Sequence, residues 1–187
     1  MKLNQINIDV EFSNNGITDS LTDAPAPKIF LDNLAREIAK SKRKFQAISI
    51  VTVQLNRINS SPNTIGANRD KKSLIASTQK DDLEIRSKRN KEDEKVLVSL
   101  GLCLKSKMRS GDFYSRFAET GFWVCIQGDL VDAMKTSERF SLSISCEKEL
   151  SSDRVIFKHA QSEWKLEMNQ QEFIQSVDLQ FFDTQDE

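Results

Sequence analysis

The apolar residues in the first third of the chain change their spacing twice, and each spacing predicts a different element. In residues 1–18 they fall on every second position, as on one face of a short strand. From Phe30 to Ile38 they recur at helical spacing, up to a basic cluster at residues 40–44 that favours a helix C-terminus. The β-branched run at residues 47–55 is typical of a central strand that is covered on both faces.

The hydrophobic pattern dissolves after residue 60, where Asn, Ser, Pro, Gly and charges of both signs are interleaved. We expect a long, charged insertion at about residues 60–95, exposed to solvent, with a transient helical stretch around residues 80–89. Helical spacing returns at Val96 and continues to Leu104. This part of the chain therefore predicts an insertion followed by a second helix.

Two strands are predicted at residues 113–117 and 122–126, and the short connection between them indicates a hairpin. Asp129 has the side chain of a helix N-cap and begins the pattern of a third helix. Residues 154–166 have the composition of a further strand. Phe173 and the apolar residues after it mark a final helix.

This order of elements predicts an α+β fold in which helices pack on an antiparallel-rich sheet. The length of 187 residues is within the usual range for one domain. We therefore divide the chain into an N-terminal leader, residues 1–18, and one domain, residues 19–187, that carries the charged insertion.

Composition narrows the classes of function. Lys+Arg 27 against Asp+Glu 28 gives a formal net charge of -1, which argues against sequence-blind binding to DNA or RNA. Cys103, Cys125 and Cys146 form an odd set without a CxxC pair, which predicts free, buried thiols in a reducing compartment. His159 is the only histidine, so a histidine-based zinc site or a Ser-His-Asp triad is nearly excluded.

The sequence has no Walker loop, Rossmann glycine signature or zinc-ligand spacing, so we expect neither a metal nor a cofactor. Its first residues do not form a signal peptide, and no apolar run reaches the length of a membrane span. We therefore expect a cytoplasmic protein without a membrane partner.

Four stretches of the chain match known motifs in order and at matching separations. Residues 19–30 are similar to DxLTGLPNRRxF, and the strand at residues 48–53 leads into residues 54–59, which stand at the position of DxDxFK. Residues 109–122 overlay RxxDxxxRxGGDEF without a gap, and residues 177–182 are similar to ADxAMY. Together these stretches resemble the GGDEF (diguanylate cyclase) domain of bacterial signalling. The resemblance implies a palm-like fold of the nucleotide-cyclase type, with a central, mostly antiparallel five-stranded sheet flanked by helices.

The resemblance also implies an active site that has lost its carboxylates. In the family, these hold divalent metal against GTP, because Mg²⁺ requires oxygen ligands and phosphoryl transfer requires charge neutralisation. Gln54 and Asn56 stand at the two aspartates of DxDxFK, and neutral amides cannot supply that charge. The two glycines and the acidic pair of the signature are replaced, in order, by Ala118, Glu119, Thr120 and Gly121. We therefore expect no catalytic residues and no cyclase activity.

One constellation of the family is intact. Arg109 and Asp112 match the RxxD of its inhibitory site, where cyclic di-GMP binds. Arg139 stands at that site's second arginine if one residue is deleted, and Arg116 is a further candidate. A guanidinium can form two parallel hydrogen bonds with guanine or with a phosphate. A carboxylate can accept hydrogen bonds from the Watson–Crick edge of guanine. The alternative is structural, because a cation at a helix C-terminus is favoured without any ligand.

Two functional hypotheses follow. In the first, the chain is a catalytically inactive GGDEF-like domain that acts as a receptor for cyclic di-GMP and signals to an unidentified protein partner. In the second, it is a nucleotide-independent interaction module, or scaffold, with the same fold. Residual GTP binding or cyclase activity is a third, weaker hypothesis. The sequence leaves open whether the chain forms a homodimer.

Overall fold

The structure, a computed structural model, describes residues 5–6, 12–58, 75–146 and 155–183. Within these ranges the strands are β1 (Gln5–Ile6), β2 (Ser49–Ile58), β3 (Phe113–Arg116), β4 (Gly121–Ile126) and β5 (Val155–Glu163). The helices are α1 (Pro27–Lys44), α2 (Ile75–Lys107), α3 (Leu130–Cys146) and α4 (Gln170–Asp183). The order of helices and strands is the one that the hydrophobic pattern predicts.

All five strands pair antiparallel in one sheet, and β2 lies at its centre. Strand β2 pairs with β5 and with β4, and β4 pairs in turn with β3. Strand β1 has only two residues and pairs with the end of β2, where Gln5 lies opposite Ile58. The predicted α+β class and antiparallel sheet are therefore confirmed, with four longer strands and one very short one.

Alternate side chains of β2 enter two separate cores, because successive residues of a strand point to opposite faces of the sheet. Val51, Val53 and Leu55 pack in one core with residues of α2 and α3. Ile48 and Ile50 belong to the other core, with residues of α1 and α4. Both faces of β2 are thus covered, which accounts for its continuous apolar run.

Helix α1 buries the residues whose spacing predicts it, Phe30, Leu34 and Ile38, and it carries three cations in its last turn. The residue after the helix, Phe45, adopts the left-handed conformation (φ 54°, ψ 36°) and donates its backbone N–H to the Ser41 carbonyl at 2.8 Å. Glycine is the usual residue at such a position, because a Cβ atom is strained there. The Phe45 side chain is 90% exposed, so packing does not offset the strain.

We therefore expect the substitution Phe45→Gly to stabilise the protein by about 1 kcal/mol, through relief of the left-handed strain. Urea denaturation monitored by circular dichroism measures the change. Phe45→Ala is the matched control, since it removes the ring but keeps the Cβ atom, and its stability should stay close to that of the wild type. Equal stability of the glycine and alanine variants would contradict this explanation.

Helix α2 differs from the sequence prediction. It begins at Ile75, whereas the apolar spacing predicts a start at Val96. The residues before Val96 include many Lys, Glu and Arg, which favour helices without requiring an apolar face, so the sequence indicated only a transient helical stretch around residues 80–89. The second part of the predicted insertion is therefore helical rather than a loop. Residues 59–74, the first part of that insertion, lie outside the described residues.

The predictions of the hairpin, of the N-cap of α3 and of two buried cysteines are also confirmed. The hairpin of β3 and β4 forms at the expected place. Asp129 caps α3, because its Oδ1 accepts the N–H of Asp132 at 2.9 Å. Cys103 and Cys125 are buried and form no disulfide, and burial raises the pKa of the Cys125 thiol well above its ordinary value. None of the helices in the described part of the chain is long and apolar enough to cross a membrane.

Candidate functional site

The turn between α2 and β3 holds the first two predicted site residues. Both carboxylate oxygens of Asp112 accept backbone N–H groups, Oδ2 from Arg109 at 3.1 Å and Oδ1 from Gln127 at 3.2 Å. Gly111 has φ +102° in this turn, and a Cβ atom on it would lie 2.9 Å from the Gln127 side chain. Asp112 therefore fixes the shape of the turn and ties it to the loop after β4.

Arg109 contributes its backbone to this turn, whereas its side chain is exposed. Among the described residues, no hydrogen bond or ion pair involves its guanidinium. Lys105 and Lys107, in the last turn of α2, are also exposed. Asp112 therefore acts on Arg109 through the backbone and does not neutralise it. The turn presents a free cation beside a carboxylate that retains lone pairs for a further donor.

Arg139 lies half-buried on α3. Its Nη2 reaches Thr136 Oγ1 only at 3.5 Å, and its buried Nε has no hydrogen-bond partner in the part of the chain that the structure describes. Helices α2 and α3 contribute to the same core, on one face of the sheet. Arg139 is therefore a cation with unused donors, on the helix that packs against the one leading to Arg109.

Arg116 does not belong to this surface, which corrects its prediction as a ligand-binding residue. Its side chain is fully buried, and its Nη1 donates to both carboxylate oxygens of Asp19, at 3.0 and 2.9 Å. Its Nη2 donates to the Glu119 carbonyl at 2.7 Å, and its guanidinium lies 5.4 Å from the centroid of the Phe12 ring. Arg116 therefore joins the segment before α1 to the hairpin turn.

Asp19 is the residue that the sequence reasoning missed. It is fully buried, and in addition to Arg116 it accepts the backbone N–H and the hydroxyl of Thr22, at 2.8 and 2.6 Å. A lone aspartate in a polar turn gives no sign of burial. Only its place in the DxLT-like stretch, together with Arg116 in the stretch at residues 109–122, offered a signal.

Gln54 and Asn56, the positions that the resemblance aligns with the DxDxFK aspartates, lie on the opposite face of the sheet from α2 and α3. Gln54 pairs across the sheet with Gly121 on β4 and with Lys158 on β5, and it is half-buried, as is Asn56. Both residues point to the α1 and α4 side, as Ile48 and Ile50 do, because they share the same alternation. Gln54, Asn56 and Lys158 thus place two amide groups and one ammonium group on this face of the sheet.

Two aromatic rings fill the space beside Gly121. Phe117 stacks on Trp123 with ring centroids 4.1 Å apart and planes 3° from parallel. A Cβ atom on Gly121 would lie 2.7 Å from two atoms of the Phe117 ring, too close for any side chain. Gly121 stands where the family signature has its second acidic residue. The hairpin is therefore packed in a way that leaves no room for that carboxylate.

The rest of the hairpin turn offers little acid for a metal ion. Ala118 and Thr120 are half-buried, the Thr120 carbonyl accepts the Leu55 N–H at 3.0 Å, and the Glu119 side chain is exposed. Asp178 lies on α4, where burial raises its pKa and the nearby indole N–H of Trp123 opposes part of that rise. The described residues contain no group of three or more His, Cys, Asp or Glu side chains that could hold a metal ion.

Comparison with solved structures identifies this architecture. The GGDEF domain of DgcB from Caulobacter crescentus, in complex with c-di-GMP, matches with a TM-score of 0.65 at 12% identity, over 93% of this chain and 92% of that one. The diguanylate cyclase SiaD from Pseudomonas aeruginosa, in complex with its activator SiaC, matches with a TM-score of 0.64 at 18% identity, over 89% of this chain. A DGC protein from Thermotoga maritima matches with a TM-score of 0.56.

The chain therefore has the fold of a GGDEF domain, as the four sequence stretches imply. It spans 56% of the SiaD chain, so it corresponds to part of that protein. Comparison of the sequence with protein-family models finds no match. No curated protein matches the sequence either. The similarity to these structures is therefore a similarity of fold. The function depends on the residues of this chain.

Proposed function

We propose that this protein is a catalytically inactive GGDEF-like domain that binds cyclic di-GMP at Arg109, Asp112 and Arg139, and that it passes this occupancy to a protein partner. The observation that carries the proposal is the turn at Asp112, whose backbone hydrogen bonds leave the Arg109 guanidinium exposed and free to bind a ligand. Such a preorganised turn lowers the cost of ordering the site when an anionic ligand binds.

The chemistry of the ligand matches these side chains. Cyclic di-GMP carries two phosphate charges and two guanine bases, and a guanidinium can form a paired hydrogen bond with either group. Asp112 can accept from a guanine edge, since each of its carboxylate oxygens accepts one backbone N–H and retains a further lone pair. A GGDEF domain with c-di-GMP bound is among the structural neighbours, which supports the class of ligand.

The proposed lack of cyclase activity is based on residues on the other face of the sheet, the side of α1 and α4. Gln54 and Asn56 are neutral, and the place of a second carboxylate is occupied by the stacked rings of Phe117 and Trp123. Magnesium and a triphosphate together require negative, oxygen-rich ligands. We therefore expect no cyclic di-GMP to form when the protein is incubated with GTP and Mg²⁺, and steady product formation would overturn this part of the proposal.

Isothermal titration calorimetry with cyclic di-GMP tests the binding. We expect micromolar affinity for the wild-type protein and a loss of at least about tenfold in Arg109→Ala, because the fork to the ligand is removed. Arg109→Lys keeps the charge and loses the fork, so it should also bind weakly. Lys107→Ala is the matched control, since it removes an exposed cation two residues away and should change the affinity much less.

The alternative is a nucleotide-independent interaction module. It is favoured by an apolar row on α3, where Val131, Met134 and Leu142 share one face and are 54%, 46% and 70% exposed. Absence of binding heat at high cyclic di-GMP would support this alternative over the receptor. A complex between a diguanylate cyclase and an activator protein, SiaD with SiaC, shows that a neighbour of this fold binds a protein.

A further inference from the structure

One end of the sheet carries a cluster of exposed cations and exposed apolar side chains that the proposed ligand site does not use. The cluster comprises Lys42, Arg43, Lys44, Phe45, Lys165 and Leu166, and we name it the end patch. The first four residues close helix α1, and the last two lie in the loop between β5 and α4. All six are exposed, Phe45 at 90% and Leu166 at 63%.

The two segments of the end patch are held together by the sheet. The Trp164 N–H donates to the Ile48 carbonyl at 2.9 Å, so the chain just after β5 lies against the chain just before β2. The ammonium of Lys42 lies 5.7 Å from the centroid of the Trp164 ring. Phe45 is three residues from Ile48, and Leu166 is two residues from Trp164. The patch is therefore a single surface on a fixed backbone.

Phe45 has no structural role that explains a large aromatic side chain. It occupies a strained, left-handed position where glycine would serve better, and its ring packs on little of the protein. A strained residue that persists without a packing role motivates a functional hypothesis. An exposed aromatic side chain next to several cations is one of the features by which a protein surface binds an apolar, anionic partner.

The charges of the patch favour an anionic occupant. Its four cations are Lys42, Arg43, Lys44 and Lys165, and the nearest exposed acid along the chain is Glu167. Other acids of the region are engaged, Glu37 with Lys40 at 3.1 Å and Glu163 with the Leu130 N–H at 3.0 Å. The patch therefore carries a net positive charge, whereas the formal net charge of the whole protein is -1.

We propose that the end patch docks the protein on an anionic lipid surface, with Phe45 and Leu166 entering the headgroup boundary and the cations facing lipid phosphates. Binding of this kind is peripheral, and it is compatible with the lack of a membrane-spanning helix in the described residues. The sequence prediction of no membrane partner considered spanning segments and signal peptides, and it could not detect a surface assembled from two distant parts of the chain.

Co-sedimentation with phospholipid vesicles tests the proposal. We expect the wild-type protein to bind vesicles that contain phosphatidylserine, and not vesicles of phosphatidylcholine alone. Because each cation near such a surface contributes roughly a fivefold gain in partitioning, Arg43→Ala/Lys44→Ala should bind on the order of 25-fold more weakly. Lys91→Ala/Lys95→Ala is the matched control, since it removes two exposed cations of α2 far from its C-terminus and should leave binding unchanged.

Phe45→Gly distinguishes a loss of docking from a loss of folding. We expect this variant to be more stable than the wild type and nevertheless to bind the anionic vesicles several-fold more weakly. Wild-type binding that is absent, or equal on both kinds of vesicle, would overturn the proposal. It would also be overturned if Phe45→Gly and the double alanine variant bound as the wild type does, or if the patch bound an acidic polypeptide such as polyglutamate but no vesicle.

Discussion

Replacing Asp19 with alanine is expected to lower the free energy of unfolding by about 3–5 kcal/mol, because Arg116 would remain fully buried without the carboxylate that its Nη1 contacts. The same replacement also removes the acceptor of the two Thr22 donors, at 2.8 and 2.6 Å. Denaturant unfolding, followed by circular dichroism, measures the loss. Asp32→Ala is the matched control, since it removes an exposed carboxylate from α1 and should change stability by less than about 0.5 kcal/mol.

A double-mutant cycle separates the pair from its surroundings. Arg116→Met alone should also destabilise the protein, because Asp19 would then be the unpaired buried charge. The combination of Asp19→Ala with Arg116→Met should cost clearly less than the sum of the two single changes, since no uncompensated charge remains. Additive losses, or a loss in Asp19→Ala below about 1 kcal/mol, would show that the two side chains do not depend on each other.

Gly121→Ala is expected to destabilise the protein by about 2 kcal/mol, because the new methyl group would meet the Phe117 ring at 2.7 Å. The ring cannot retreat freely, since it is stacked on Trp123. The backbone of Gly121 does not have a positive φ, so the cost comes from the ring contact and not from the conformation. Thermal or urea unfolding of the variant gives the magnitude.

Two further variants check the cause of that loss. Phe117→Leu in the Gly121→Ala protein should recover part of the stability, because the smaller side chain leaves room for the methyl group. Gly101→Ala in α2 is the control for glycine replacement, since its Cβ atom would be 3.4 Å from its nearest neighbour and alanine favours a helix. If Gly101→Ala and Gly121→Ala lost equal stability, the ring contact would not be the reason.

The sequence predicted the fold well because an element with one buried face has apolar residues at a regular spacing. That spacing can be recognised within a short stretch of sequence. Alternation at β2 and helical spacing in α1 follow directly from which side chains are covered. The first part of α2 was predicted only as a transient helical stretch around residues 80–89, because charged residues can form a helix without an apolar stripe. Left-handed geometry at Phe45 also has no sequence signature, since glycine or asparagine is the usual residue at that position.

The sequence predicted which residues would stand in the turn of the candidate site, and it predicted their environments less well. Arg109 and Asp112 stand together in the turn that their motif implies, and the structure adds that Asp112 is bonded to backbone groups. Arg116 belongs to the same motif and was assigned the same role, yet it is buried with Asp19. Spacing along the chain cannot distinguish Arg109 from Arg116, because the environment of Arg116 depends on a partner 97 residues away.

That separation has a consequence for how the protein is made. Asp19 leaves the ribosome 97 residues before Arg116, which at ordinary rates of synthesis is a delay of roughly 5–20 s. During this interval the turn at residues 19–25 has no buried cation to complete it, and an ionised carboxylate has to stay hydrated. The segment before α1 can therefore reach its final place only after the hairpin has been synthesised, although the segment itself is synthesised earlier.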